Sequence, residues 1–168
     1  RMLVDANNIK RLAEQFSNRD QGQLTIATTH TQARYALPTA VRDFRQAHPH
    51  VTLHLQQGSP RHIAELVLQG QADLGVATEA LADYPELVAL PCYRWTHVVV
   101  VQPGHPLARE AASGAALSLQ RLAQFPLVTY EPGYTGRSHI DEAFQRQGLV
   151  PNLVLSAMDA DVIKTYVE

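Results

Sequence analysis

The chain has 168 residues, 45% hydrophobic and 18% charged, with a net charge of −2, which is ordinary for a soluble globular chain and carries no basic footprint for nucleic acid. Its single cysteine, Cys92, excludes an intrachain disulfide and a multi-thiolate metal site, and fits a cytoplasmic setting. No apolar run approaches the roughly 20 residues that cross a bilayer, and residues 1–8 lack the apolar core of a signal peptide.

Ile9, Leu12, Ala13 and Phe16 recur at helical spacing, opposite Asp5, Lys10, Arg11 and Glu14. Residues 1–18 therefore read as an amphipathic helix, either an ordinary surface helix or the tail of a longer linker helix that opens without a cap. Residues 24–28 predict a first strand. A helical face follows in Ala33, Leu37, Ala40, Val41, Phe44 and Ala47. Pro38 falls inside that face, so the helix proper begins near it or kinks there. Residues 51–57 alternate as a strand does. Ser59 as N-cap and Pro60 in the first turn open a second helix, with Ile63, Ala64, Leu66 and Val67 as its apolar stripe and Gly70 as its stop. Residues 72–78 predict a third strand. Such a β-α-β-α-β run implies parallel pairing, right-handed crossovers and helices on the sheet faces.

Residues 87–93 read as an extended crossing segment and 98–101 as a short apolar strand, broken by Pro103-Gly104-His105-Pro106. Residues 109–118 are small and polar and predict a loop. A short helix over 119–123 and a strand over 127–130 lead into a polar, glycine-rich loop, 131–138. Ser138 with Asp141 reads as a capping box for a helix running to Gln147, with Gly148 as its stop. Residues 152–157 predict the last strand, and Asp159 caps a final helix over 160–167. The fold class expected is α/β: two Rossmann-like lobes meeting near Pro91, with a small-molecule cleft between them.

The stretch Thr28-Thr29-His30-Thr31-Gln32 stands out, because it crowds three hydroxyls, a histidine and an amide where a strand delivers the chain to a helix N-terminus. Hydroxyl donors, first-turn N–H groups and the positive end of the helix dipole together suit a sulfate, phosphate or carboxylate without any lysine or arginine. The plainer reading is simple capping. Thr78-Glu79 also follows a predicted strand, and in a parallel sheet ligands bind at the carboxyl ends. Thr135-Gly136-Arg137-Ser138 reads as a second anion cradle or as a plain glycine turn and cap. Trp95, the only tryptophan, either walls a pocket or fills the core, and Cys92 reads as packing. The eight histidines form no HExxH and no His/Cys cluster of ligand spacing, so no metal and no cofactor is expected. No nucleophile-elbow or Walker-type motif appears, and an enzyme is not the reading favoured.

Several of these tracts resemble the effector-binding region of LysR-type transcriptional regulators. They include residues 28–38, Ala77-Thr78-Glu79-Ala80, Leu90-Pro91-Cys92-Tyr93, 127–130, Tyr134-Thr135-Gly136-Arg137-Ser138 and 159–167, with Pro103-Gly104-His105-Pro106-Leu107-Ala108 a phrase common in the family. Within the family they resemble the regulators of cysteine biosynthesis and sulfur assimilation, and a close paralogue type governing sulfonate use shares much of the pattern. Residues 109–118 depart from it. The resemblance implies a cytoplasmic homodimer or homotetramer that binds DNA through a helix-turn-helix outside these residues. It implies N-acetylserine or O-acetylserine as inducer, with sulfide or thiosulfate opposing and sulfate able to occupy the cleft. The ligand-binding residues it implies are Thr29, Thr31, Gln32, Thr78, Glu79, Trp95 and Thr135. It also implies that 1–22 are the end of a linker helix, that 23–90 and 91–168 are two incomplete effector-binding lobes, and that the chain continues past Glu168. A periplasmic-type solute-binding protein for a small anion, which shares the two-lobe plan, is the alternative.

Overall fold

A computed structural model describes residues 22–78, 81, 84–134 and 136–167. The expected helix over 1–18 lies outside them. The chain divides between Ala89 and Leu90 into two compact units.

The first unit is built on a parallel sheet of order β2-β1-β3, from β1 (Gly22–Thr28), β2 (Val51–Gln57) and β3 (Leu74–Val76). The central strand is buried without interruption from Thr25 to Thr28, as expected where both faces of a parallel strand are covered. The edge strand β2 instead alternates over its first residues and is otherwise exposed. The third strand is shorter than expected. Asp73 N–H donates to the Thr25 carbonyl (2.9 Å), and the Asp73 carboxylate accepts from Thr25 N–H (2.8 Å). A side chain thus takes one place that a ladder carbonyl would hold.

Between β1 and β2 the chain passes through a π-helical turn, Gln32–Ala36, into α1 (Leu37–Ala47). Pro38 sits in the first turn of α1, so the helix proper begins there. Proline has no N–H to give to the carbonyl four residues back, and just before it Leu37 N–H donates five residues back, to Gln32. The widened turn follows from that break. Helix α2 (Pro60–Leu68) starts as the sequence predicts: Ser59 Oγ accepts from His62 N–H at 3.2 Å. The core is Ala27, Ile63, Leu66 and Ala72, with Val67, Ala77 and Leu81 against it. A Cβ at Gly75 would lie 3.0 Å from Ile63 Cγ2 and 3.2 Å from Val67 Cγ2, so β3 meets α2 at a position only glycine fits without displacement.

The second unit holds α3 (Pro106–Ala112), α4 (Leu119–Leu122), β4 (Pro126–Tyr130), α5 (Arg137–Arg146), β5 (Asn152–Ala157) and α6 (Ala160–Val167). Strands β4 and β5 pair in parallel. Leu107, Leu122 and Phe144 form the core, flanked by Val101, Phe125, Leu127 and Ile140 among others. Arg121 joins two helices: its Nη2 donates to Glu110 Oε1 at 2.6 Å, and its guanidinium lies 4.7 Å over the Phe125 ring.

Three expectations fail here. Residues 98–101 form no strand: apolar β-branched residues need a hydrogen-bonding neighbour to become one, and none pairs with them among the described residues. Residues 109–112 are helical rather than loop, because His105 acts as N-cap, its Nδ1 accepting from Leu107 N–H at 3.2 Å, and Pro106 opens the turn. Ser138 is no cap. Gly136, with φ 69°, holds that place, and Asp141 accepts from Arg137 Nε at 2.7 Å instead. Asp159 caps α6 as expected, Oδ1 accepting from the N–H groups of Asp161 (2.9 Å) and Val162 (3.0 Å).

Candidate functional site

In the parallel register Thr28 stands beside Gln57 on one side and Val76 on the other. The chain therefore leaves β1 and β3 at the same carboxyl edge, through Thr28-Thr29 and Ala77-Thr78. Thr28 and Thr29 are buried, as are Gln32 and Thr78, while Thr31 is half-buried. His30 and Thr31 are the first helical residues, and Ala33 N–H closes the first turn onto the Thr29 carbonyl at 3.0 Å. Thr29 thus occupies the N-cap position, where a threonine hydroxyl ordinarily accepts from a first-turn N–H.

It does not do so here. Thr29 is 4% exposed, and its Oγ1 is buried with no hydrogen-bond partner. Leaving a buried hydroxyl unpaired costs about 1–3 kcal/mol. Its neighbour behaves differently: Thr28 Oγ1 donates to the Thr29 carbonyl at 3.3 Å, and the Thr28 carbonyl accepts from Gly58 N–H at 3.1 Å. Thr78 lies near this edge, its carbonyl accepting from Leu81 N–H at 3.2 Å. The edge therefore combines a spare hydroxyl, a buried amide side chain and a helix N-terminus with its partial positive charge. That set can hold a carboxylate or a tetrahedral oxyanion.

Four of the expected ligand residues, Thr29, Thr31, Gln32 and Thr78, accordingly belong to one sheet edge. Glu79 and Thr135 lie outside the described residues. Trp95 belongs to the second unit, in a segment with no regular secondary structure. It is part of neither core and packs edge-on against His97, with ring centroids 4.7 Å apart. Cys92, expected as packing, is exposed because its segment joins no sheet; its thiol donates to the Leu90 carbonyl at 3.6 Å. Arg137 is committed within its own unit: its side chain is 12% exposed, and its guanidinium donates to Asp141 and to the Tyr130 carbonyl. Burial raises the Tyr130 phenol above its ordinary value. Sequence reasoning passed over Asp73, whose carboxylate accepts from Thr25 N–H of β1, and Gln57, whose side chain meets His30 just beyond it. The only signal for them was polar residues at strand ends, which is too common to single out.

The comparisons with known proteins agree with this architecture. The LysR substrate binding domain matches residues 17–168. The HTH-type transcriptional regulator SsuR of Burkholderia cenocepacia is 55% identical over 168 residues, covering all of this chain and 53% of that protein. The HTH-type transcriptional regulator CysB of the same organism is 50% identical over 168 residues and 52% of its length. Among solved structures, the cofactor-binding domain of the Cbl transcriptional regulator superposes with a TM-score of 0.82 at 52% identity, covering 88% of this chain and 63% of that one. The chain spans about half the length of these two regulators. These relatives are transcriptional regulators, not enzymes. No helix among the described residues is long and apolar enough to cross a membrane. With the family's model covering nearly all of the chain and the two-unit α/β plan in place, this chain belongs to the LysR substrate-binding domain family.

Proposed function

We propose that the chain is the effector-sensing domain of a cytoplasmic DNA-binding transcriptional regulator of cysteine biosynthesis and sulfur assimilation. Its ligand is N-acetylserine or O-acetylserine, or a sulfate-like anion. The observation that carries this reading is the buried, unpartnered Thr29 hydroxyl at the start of a helix. A domain stores such a cost where a ligand repays it. In this reading Thr29 and Thr31 donate hydroxyl hydrogens to the ligand's anionic oxygens and Gln32 donates its amide. Thr78 closes the same edge. Glu79, Trp95 and Thr135 complete the ligand set by family resemblance. Residues 1–22 are the end of the linker helix, and 23–90 and 91–168 belong to the two effector-binding lobes of a homodimer or homotetramer, which contacts DNA through a helix-turn-helix outside these residues.

A second reading is the paralogue type that governs sulfonate use under sulfate starvation, since the chain is no less similar to SsuR, at 55% identity, than to CysB, at 50%. A gel-shift with the full-length regulator separates the two, using a cysteine-biosynthesis promoter and a sulfonate-use promoter with and without N-acetylserine. Ligand-dependent binding to the first supports the cysteine regulator, and binding to the second alone supports the paralogue. No binding to either promoter, with or without N-acetylserine, would sink both. Calorimetric titration with sulfate tests the site: Thr31→Val should weaken binding by about 1–3 kcal/mol, and wild-type affinity would remove Thr31 from it.

A further inference from the structure

The exit of β1 is tied to the exit of β2 by two contacts that none of the ligand residues makes. The Thr28 carbonyl accepts from Gly58 N–H at 3.1 Å, which continues the parallel ladder one step past β2. Immediately beside it, His30 Nδ1 lies 3.2 Å from Gln57 Oε1. His30 is the first helical residue, between Thr29 and Thr31, and Gln57 is the last residue of β2. With its hydrogen on Nδ1, His30 donates to the amide oxygen.

The turn that presents Gln57 is itself constrained. A Cβ at Gly58 would come 2.7 Å from His62 Cδ2, and His62 N–H is the donor that Ser59 caps at the start of α2. The residue after Gln57 thus passes close against a capped helix start. In the loop that Gln57 touches, the Thr29 hydroxyl caps nothing.

We infer that Gln57 is a positioning residue: through His30 it fixes the orientation of the Thr29–Gln32 turn and so sets that turn's affinity for an anion. The inference rests on the proposed ligand role of that turn. Gln57 itself touches no ligand in this scheme. Its effect comes from pre-organisation, since a turn already held in its binding geometry loses less freedom when the ligand arrives.

The test is a double-mutant cycle on the full-length protein, read by calorimetric titration with sulfate and, separately, with N-acetylserine. Gln57→Ala and His30→Ala should each weaken binding roughly two- to tenfold, the range of one ordinary hydrogen bond. The double variant should be no weaker than the weaker single, because both remove the same contact. Gln57→Glu, which keeps an acceptor oxygen for Nδ1–H, should retain slow amide exchange at residues 29–33, where Gln57→Ala speeds it. Wild-type affinity in Gln57→Ala, or losses that multiply in the double variant, would overturn the inference. If the wild type binds neither probe, the ligand reading fails. Amide exchange then judges the brace alone: faster exchange at 29–33 in Gln57→Ala keeps it, and unchanged exchange removes it.

Discussion

In the first unit the chain leaves its central strand through Thr28 and Thr29, and the hydroxyl at the helix start is buried with nothing to bond. In the second unit the chain leaves β4 through Tyr130 and Glu131, and several of the polar groups that follow are tied into the fold. Glu131 N–H donates to the Ala157 carbonyl, Arg137 takes the Tyr130 carbonyl and Asp141, and Asp159 caps α6. Both edges are carboxyl ends of parallel strands feeding helices. At the first a buried hydroxyl donor stays open, and at the second the groups just named are spent on the fold. Capacity left open at a buried position is what a ligand can use, and an open hydroxyl donor is of the kind that suits an anion.

The largest expected effect tests the cores on which each edge stands. Phe144 is buried at the centre of the second core and Ile63 at the centre of the first. Phe144→Ala should cost about 3–5 kcal/mol and Ile63→Ala about 2–5 kcal/mol. Hydrogen exchange checks both: the first should strip protection from β4 and β5, the second from β1 to β3. Protection unchanged in either case would remove that residue from its core.

A smaller effect addresses the contrast directly. Thr29→Val replaces the unpaired hydroxyl with a methyl of similar volume. The ligand-free protein should gain about 1 kcal/mol in urea unfolding, while sulfate affinity falls. A loss of stability instead would mean that the hydroxyl is satisfied, and the two edges would then be alike.

The smallest effect lies at alkaline pH. Desolvation raises the Tyr130 phenol above 10.0, so the folded state holds its proton where the unfolded chain has begun to lose it. Stability from this group is complete below about pH 10 and declines as pH climbs through the folded value. Tyr130→Phe should flatten the alkaline limb of a melting-temperature profile between about pH 9 and 12. An identical limb in the variant would place the titration elsewhere.

Much of this was legible without coordinates. Ser59-Pro60 located the start of α2, Gly70 its end, and the spacing of Ile63, Leu66 and Val67 its buried face, because capping and helical periodicity act over a few residues. The strand–helix alternation likewise required parallel pairing, and with it the shared edge of Thr28-Thr29 and Thr78. Where elements were misread, an uncommon local cap or a missing long-range partner decided. His105 caps α3 although histidine is an uncommon cap. Residues 98–101 have the composition of a strand but no neighbour to pair with, and strand formation is a property of pairs. The crowding of threonines at 28–31 was visible as a pattern. That Thr28 turns its hydroxyl to the backbone while Thr29 keeps its own unpaired was not, and neither was the reach of Gln57 to His30 across 27 residues. The sequence by itself determined which groups arrive at the edge, since that follows from local propensity and strand direction. The tertiary structure alone decided which of them are already satisfied, because burial and hydrogen bonding depend on neighbours brought in from β2 and β3.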